Sequence, residues 1–281
     1  MKNKIYYFFA ATLVICCNEK PAEKKNTDLQ KKEEKSFSVA AKDSAANALT
    51  ILQRPQVPIL CYHRIDNNKP PSNYNVTIPV FKEQLKMLAD SGYHSILPDQ
   101  LYDYLTRGVA LPSKPFMLTF DDTREEQFSI AAVEMEKYGF KGVFFIMTIS
   151  INRPNYMSSE QLKKLSDRGH VISAHTWDHQ NVKKLKENDW TAQIEKPNQR
   201  IQAITGKPVN YFAYPFGLWS DTAIAHIKKY AFRAAFQLSA KRSETEPLYT
   251  IRRTLVPGTW SAQKLLKRMD ALFNGNEKLE F

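Results

Sequence analysis

Apolar positions in this chain gather into short runs that stop abruptly, and those runs are separated by segments whose apolar residues recur at helical spacing. The runs end near Cys61, Phe120, Met147, Ala174, Tyr214, Leu238 and Val256, each of a length that suits a buried strand. Between them, FKEQLKMLADSG puts Phe81, Leu85 and Leu88 on one stripe. SSEQLKKLSDRG opens on Ser and Glu and closes on Gly169, as capped helices do. Thr123 through Tyr138 reads as a further helix, with Phe128, Ala131, Met135 and Tyr138 near one face. Strands alternating with helices predict a parallel α/β fold, and the periodicity alone fits either a barrel or an open sheet. No internal repeat is present.

The first fifty residues follow neither pattern. MKNKIYYFFAATLVICC has a basic start and an apolar stretch too short for a membrane span, so residues 1–17 read as an export signal. Cys16 and Cys17 close it in the manner of an imperfect lipoprotein signal, Ile15 being larger than the residue usual before a lipid-bearing cysteine. A plain signal peptide or an uncleaved anchor are the other readings. Residues 18–50 are polar, nearly balanced in charge and without apolar period, hence a tether. Residues 51–281 then form one domain of the size usual for an α/β barrel. The expected location is the cell envelope, with the protein held at a bacterial membrane by an N-terminal lipid.

Composition changes this picture little. The formal charge is +11, most of it on the domain, but KKLSDRG, KKLKEND and AHIKKYAFR read as solvated helix faces rather than as a nucleic-acid footprint. Cys61 is the sole cysteine beyond residue 17, which forbids a disulfide within the domain and leaves it to pack in the first strand.

The candidate chemistry lies at the ends of two apolar runs. FMLTFDDT ends on Asp121 and Asp122, and SAHTWDH supplies His175 and His179. Neighbouring side chains of a strand point to opposite sides, so one of the two carboxylates can bind a metal while the other meets a water. Two imidazoles and a carboxylate suit Zn²⁺ with a position left for water, and Fe²⁺ or Co²⁺ accept the same donors. The competing reading is that the Asp pair caps the following helix and the histidines are structural. His63 ends the first apolar run, where parallel α/β folds gather their sites; it reads equally as a satisfied histidine beside Tyr62. His94, His170 and His226 read as structural.

VPILCYH, LTFDDT, FKGVFFIMT, GHVISAHTWDH and YFAYPFG, in this order and spacing from about Val57 to at least Gly217, resemble the polysaccharide deacetylases, the NodB-type carbohydrate esterases of family 4. They look closest to the poly-N-acetylglucosamine deacetylase branch. The resemblance implies an irregular (β/α)₇ barrel and metal-dependent hydrolysis of N-acetyl groups on an N-acetylglucosamine-containing glycan, releasing acetate. It places the general base at Asp121, a divalent ion, Zn²⁺ above all, on Asp122, His175 and His179, and the general acid at His63. It further implies that the backbone N–H of Phe216 stabilises the oxyanion and that Trp177 and Tyr214 flank the sugar, with Trp219 and Trp260 as weaker candidates against core packing. Three departures stand out: Thr123 replaces the usual Gly, which is conservative if the backbone there has no need of positive φ; Ala213 takes the place of an arginine that orients the base; and no histidine follows His226. They motivate a second reading, a catalytically weakened glycan-binding module of the same fold. Hydrolysis of another small acetyl or amide substrate is a third.

Overall fold

The structure, a computed structural model, describes residues 46–273, all within one compact unit, Ser44–Phe281. The signal, Cys16 and Cys17, and nearly all of the tether lie outside the described residues. The last residues assigned to the tether belong to the folded unit: Ala46 N donates to Thr106 O and Asn47 caps the first of the described helices, whose Ile51 is buried.

In chain order the elements are α1 (Ala48–Gln53), β1 (Ile59–Tyr62), β2 (Arg64–Ile65), β3 (Asn75–Val76), α2 (Ile78–Asp90), β4 (His94–Ser95), α3 (Pro98–Arg107), β5 (Pro115–Asp121), α4 (Val133–Glu136), β6 (Gly142–Ile146), α5 (Ser159–Asp167), β7 (Val171–Ala174), α6 (Lys196–Thr205), β8 (Tyr211–Ala213), α7 (Asp221–Lys229), β9 (Ala234–Phe236), β10 (Thr254–Leu255) and α8 (Ala262–Phe273). Seven strands run in the order β10-β1-β5-β6-β7-β8-β9, each parallel to its neighbours; β4 adds to β5, and β2 pairs β3 separately. The sheet curls until its two ends meet at a narrow seam. Gln237 N donates to Ile251 O at 2.9 Å, Ile251 N to Ala235 O at 3.1 Å and Arg253 N to Leu238 O at 3.1 Å, after which β10 pairs with β1. The result is a distorted (β/α)₇ barrel, as the seven apolar runs and the resemblance led one to expect.

Side chains alternate across this sheet. Leu60, Tyr62, Leu118, Phe120, Phe144, Ile146, Phe212 and Tyr214 pack outward with Phe81, Leu85 and Leu88 of α2, Leu162 and Leu165 of α5 and Leu265 of α8. Ile59, Met117, Val143, Phe145, Ala213, Ala234 and Phe236 form a second cluster on the other face. Cys61, Thr119, Asp121 and Ser173 share the parity of that second face and are buried.

One predicted helix differs. After β5 the chain turns through Asp122 and Thr123 at φ 74° and 61°, so no helix starts at Thr123. A widened π-helical turn, Gln127–Ala132, leads into the short α4. Ala131 and Met135 are buried as the stripe required, whereas Tyr138 is exposed. The opposite outcome holds for α5, where Ser158 accepts from Gln161 N and donates its own N–H to Gln161 Oε1, a reciprocal cap. Among the described residues no helix is long and apolar enough to cross a membrane.

Candidate metal centre

Asp121 is the last residue of β5, and it points inward with the odd-numbered side chains of that strand. There it meets Arg253, which enters from the seam just before β10. The pairing is bidentate: the two terminal guanidinium nitrogens reach Oδ1 and Oδ2 at 2.7 Å each, while Nε donates to Gln237 O and the cation lies 5.1 Å from the Phe145 ring centre. Burial by itself pushes the Asp121 carboxyl up; the Arg253 charge and hydrogen bonds overcome it and hold the carboxyl well below the usual carboxylate range. Cys61 packs in β1, as expected, and its thiol also donates to Asp121 Oδ2 at 3.5 Å.

Asp122 is aimed differently because its backbone is left-handed. That conformation is uncommon for residues with a side chain, yet five residues around this centre adopt it: Asp122, Thr123, Thr176, His179 and Phe216. Thr123 thus does sit where the usual glycine has a steric reason, and its substitution is not conservative in backbone terms. A pair of hydrogen bonds offsets the strain, since Thr123 Oγ1 accepts from Met147 N at 2.8 Å and lies 3.4 Å from Met147 O.

His175 follows β7 directly and His179 lies on the next turn. His175 Nδ1 donates to Ala213 O at 2.7 Å, which fixes the tautomer and leaves a lone pair on Nε2. Asp122 Oδ1 lies 3.7 Å from His175 Nε2 and 3.6 Å from His179 Nε2, too far apart for hydrogen bonds and close enough to ligate a common ion. Both Asp122 Oδ1 and His175 Nε2 are buried without a hydrogen-bond partner. Unpartnered buried polar atoms are costly, and a cation between these three satisfies them. Burial pushes the His175 imidazole down to about 3 and lowers that of His179, so both rings present lone pairs rather than protons at neutral pH.

His63, beyond the end of β1, joins the same end of the barrel. A ring nitrogen of His63, the Cys61 sulfur and an Asp121 oxygen lie within 4.8 Å of one another, which sets His63 beside the Asp121 carboxylate. Buried Gln127 fixes that spacing by donating through Nε2 to the carbonyl oxygens of both His63 and Asp121. The π-helical turn after β5 is what carries Gln127 inward.

The apolar rim is partly the one anticipated. Trp177 lies between the two histidines and is 41% exposed; Phe216, 58% exposed, sets its ring 4.4 Å from that of His179. Gly217 behind it has φ +69° and approaches Leu238 so closely that a Cβ there would lie 2.7 Å from Leu238 N. Tyr214 requires a correction. It is fully buried against Phe212 among the outward-facing residues, with its hydroxyl unpartnered, because the alternation that turns Ala213 inward turns Tyr214 toward the helices; its ring offers no surface to a sugar. Trp219 and Trp260 pack partly buried against the core. Tyr74, 57% exposed and edge-on to His63 at 5.2 Å, takes a rim position that the sequence did not suggest. The other three histidines are structural, as expected: His94 bonds Ser113 O, His170 bonds Gly142 N and Glu136, and His226 stacks on Trp190.

Arg253 and Gln127 were not found from sequence. The missing arginine at Ala213 was the available signal for the first, since a buried carboxylate at Asp121 calls for a cation from somewhere.

Residues 108–235 match the family model described as polysaccharide deacetylase, a span that holds Asp121, Asp122, His175 and His179 and leaves out His63 and Arg253. A Bacillus subtilis (strain 168) protein, YxkH, provisionally named a polysaccharide deacetylase, is 24% identical over 82% of this chain and 82% of its own. The poly-beta-1,6-N-acetyl-D-glucosamine N-deacetylase of Staphylococcus aureus (strain COL) is 25% identical over 75% of this chain and 77% of its own. Among solved structures, the Streptococcus pyogenes deacetylase PplD, in complex with acetate, superposes with a TM-score of 0.71 at 22% identity, over 77% of this chain and 99% of the other, which speaks for the fold. The family model and these relatives make the chain similar to polysaccharide deacetylases, and the superposition shows the shared fold. Two clusters, Asp122 with His175 and His179 and Cys61 with His63 and Asp121, bring their ligand atoms close enough together to hold a metal ion.

Proposed function

We propose that this chain removes N-acetyl groups from an N-acetylglucosamine-containing polysaccharide by metal-dependent hydrolysis, releasing acetate and leaving a free amine. The observation that carries the reading is the triangle of Asp122, His175 and His179, in which Asp122 Oδ1 and His175 Nε2 are buried and unpartnered, beside a carboxylate that Arg253 keeps ionised. A divalent cation held by those three, Zn²⁺ by preference of the donor set, supplies Lewis acidity toward the acetyl carbonyl and toward water.

The chain's own groups divide the remaining work. Asp121 accepts a proton from the attacking water. The Phe216 N–H stabilises charge on the carbonyl oxygen, a contribution worth a few kcal/mol, on the order of the loss when such donors are removed. His63, protonated, donates to the departing nitrogen as the C–N bond breaks. Trp177, Phe216 and Tyr74 border the centre with half-exposed aromatic surface of the kind that sugar rings stack on. Arg253 favours catalysis over the binding-module reading, because the departure at Ala213 no longer leaves the base without an orienting cation.

Poly-β-1,6-N-acetylglucosamine is the first substrate to try, since it is the one in the Staphylococcus aureus relative's name. Free amine and acetate should both appear, in equal amounts, from at least one of that polymer, peptidoglycan and chitin oligomers, with turnover abolished by chelation and restored by Zn²⁺. Binding without release from any of the three favours the binding module, and release only from small acetylated amides favours the third reading.

The N-terminal reading is a lipid on Cys16 or Cys17, carrying the domain on its tether at the envelope. Two acyl chains at about 0.8 kcal/mol per buried CH₂ anchor stably without a span. Mass spectrometry of the mature N-terminus should find a diacylglyceryl cysteine; an unmodified one on a secreted product excludes it.

A further inference from the structure

Trp177 has a second side. Next to the metal loop lies a surface hollow of about 390 Å³ lined by Thr148, Trp177, Ala192, Lys196, Pro197 and Arg200, within the size range of small-ligand sites. Its walls are held by the centre already described. Ile149 N donates to Trp177 O at 2.9 Å, and Trp177 N to the buried Gln193 Oε1 at 3.3 Å, so the indole is fixed at the backbone between His175 and His179.

The charge of the hollow is one-sided. Lys196 and Arg200 stand four residues apart in α6, where like charges repel by a few tenths of a kcal/mol. Arg200 is docked, with one terminal nitrogen donating to Thr148 O at 2.9 Å. No acidic residue lines the hollow, and among the described residues neither cation has a carboxylate within ion-pair distance. Elsewhere on the surface such pairs are frequent: Lys86 with Asp90, Lys163 with Asp167 and Lys164 with Glu160 all use the same i,i+4 spacing. Two cations left without acids beside an exposed indole are the complement of a sugar that carries an anion, with the ring against tryptophan and the anion on a planar guanidinium able to bond it through two donors.

We infer that this hollow is a subsite for a carboxylate-bearing sugar unit next to the unit whose acetyl group is removed. The inference rests on the deacetylase reading and narrows its substrate to acidic N-acetylglucosamine-containing glycans.

The test uses the Zn²⁺-loaded full-length protein and three oligomers of matched length: N-acetylglucosamine alone, N-acetylglucosamine alternating with N-acetylmuramic acid, and the latter with its carboxylates amidated. Acetate release gives kcat and KM for each. Wild type should have a KM about tenfold lower for the acid than for its amide, a gap that narrows in high salt. The double variant K196Q/R200Q should bring that ratio to near one through KM, whereas R200K retains part of it. Equal KM for acid and amide in the wild type overturns the subsite, as does a variant that raises both KM values alike. Should no oligomer be deacetylated, the functional reading fails by itself; calorimetric binding of acid against amide then decides the subsite, upheld by a preference that the double variant removes and overturned by its absence.

Discussion

Strand β7 has a buried histidine at each end, and the two are treated in opposite ways. His170, just before the strand, accepts the Gly142 N–H on Nδ1 and pairs Nε2 with Glu136 at 2.9 Å, so both ring nitrogens are satisfied by the protein. His175, just after it, has Nδ1 on Ala213 O and a buried Nε2 with no partner. Burial depresses both, to about 4 and about 3 respectively. Burial and a shifted pKa therefore do not separate a structural histidine from a ligand. What separates them is the unspent lone pair, together with Asp122 and His179 aimed at the same point.

The comparison breaks most sharply under substitution. His175→Ala should abolish stoichiometric Zn²⁺ binding, read by elemental analysis, and lower turnover at least about 10³-fold, since several kcal/mol of charge stabilisation leave with the ion. His170→Ala should instead lower the unfolding free energy and keep the metal. Metal retained in the first variant, or lost in the second, reverses the roles assigned to the two ends.

At Asp121, Asn should keep the ion and lower kcat by roughly 10²–10⁴, measured with metal content on one preparation under conditions where the variant is folded. Arg253→Met removes the other half of that pair. It should cost about 3–5 kcal/mol in denaturant unfolding, the usual penalty for stranding a buried charge. With the strongest opponent of burial gone the Asp121 carboxyl rises, so the acidic limb of the pH–rate profile moves to higher pH. An unmoved limb means that Asp121 is not the group that limb reports.

His170 sharpens the comparison through pH. Its folded pKa of about 4 lies below the ordinary histidine value near 6.5. The unfolded chain binds the extra proton between those two values, so stability is full above about pH 6.5 and falls as pH drops toward 4, by about 3 kcal/mol at most. The same proton on Nδ1 would face the Gly142 N–H and cost β6 that contact. Denaturant midpoints at several pH values check it: H170Q should flatten the slope in this window, and a slope unchanged by H170Q assigns it elsewhere. Smallest of all, Thr123→Ala should destabilise by about 1–2 kcal/mol by leaving Met147 N–H unpaired, and Thr123→Gly by less, because it also relieves the left-handed backbone. Equal losses would remove the strain argument.

Much of this molecule was legible in sequence for one physical reason. Strands buried on both faces of a parallel sheet read as unbroken apolar runs, and the residues after such runs fall at one end of the barrel, so Asp121, Asp122, His63 and the two histidines declared themselves. What stayed hidden depends on distance or on a single torsion. Arg253, in RRTLVPG, looks like half of a solvated basic pair until the curl of the sheet carries it 132 residues back to Asp121. Gln127 turns inward only because the helix after β5 widens, which no apolar period records. Tyr214 was misplaced because its motif fixes a neighbourhood, while inward or outward depends on strand parity at the last residue of β8.

The seam that brings Arg253 to Asp121 also imposes an order on the making of this protein. A chain growing from its N-terminus has supplied both aspartates and both metal-site histidines by residue 179, but the cation that keeps Asp121 ionised arrives 74 residues later, with the strand that joins β9 to β1. Until then the carboxylate lacks the strongest of the charges that oppose the effect of burial on it, those of His175 and His63 being the weaker. A partly synthesised or C-terminally clipped chain thus contains the three proposed metal ligands but not the cation that pairs with Asp121. On the proposed function, the onset of hydrolysis during refolding should follow the docking of the last strand.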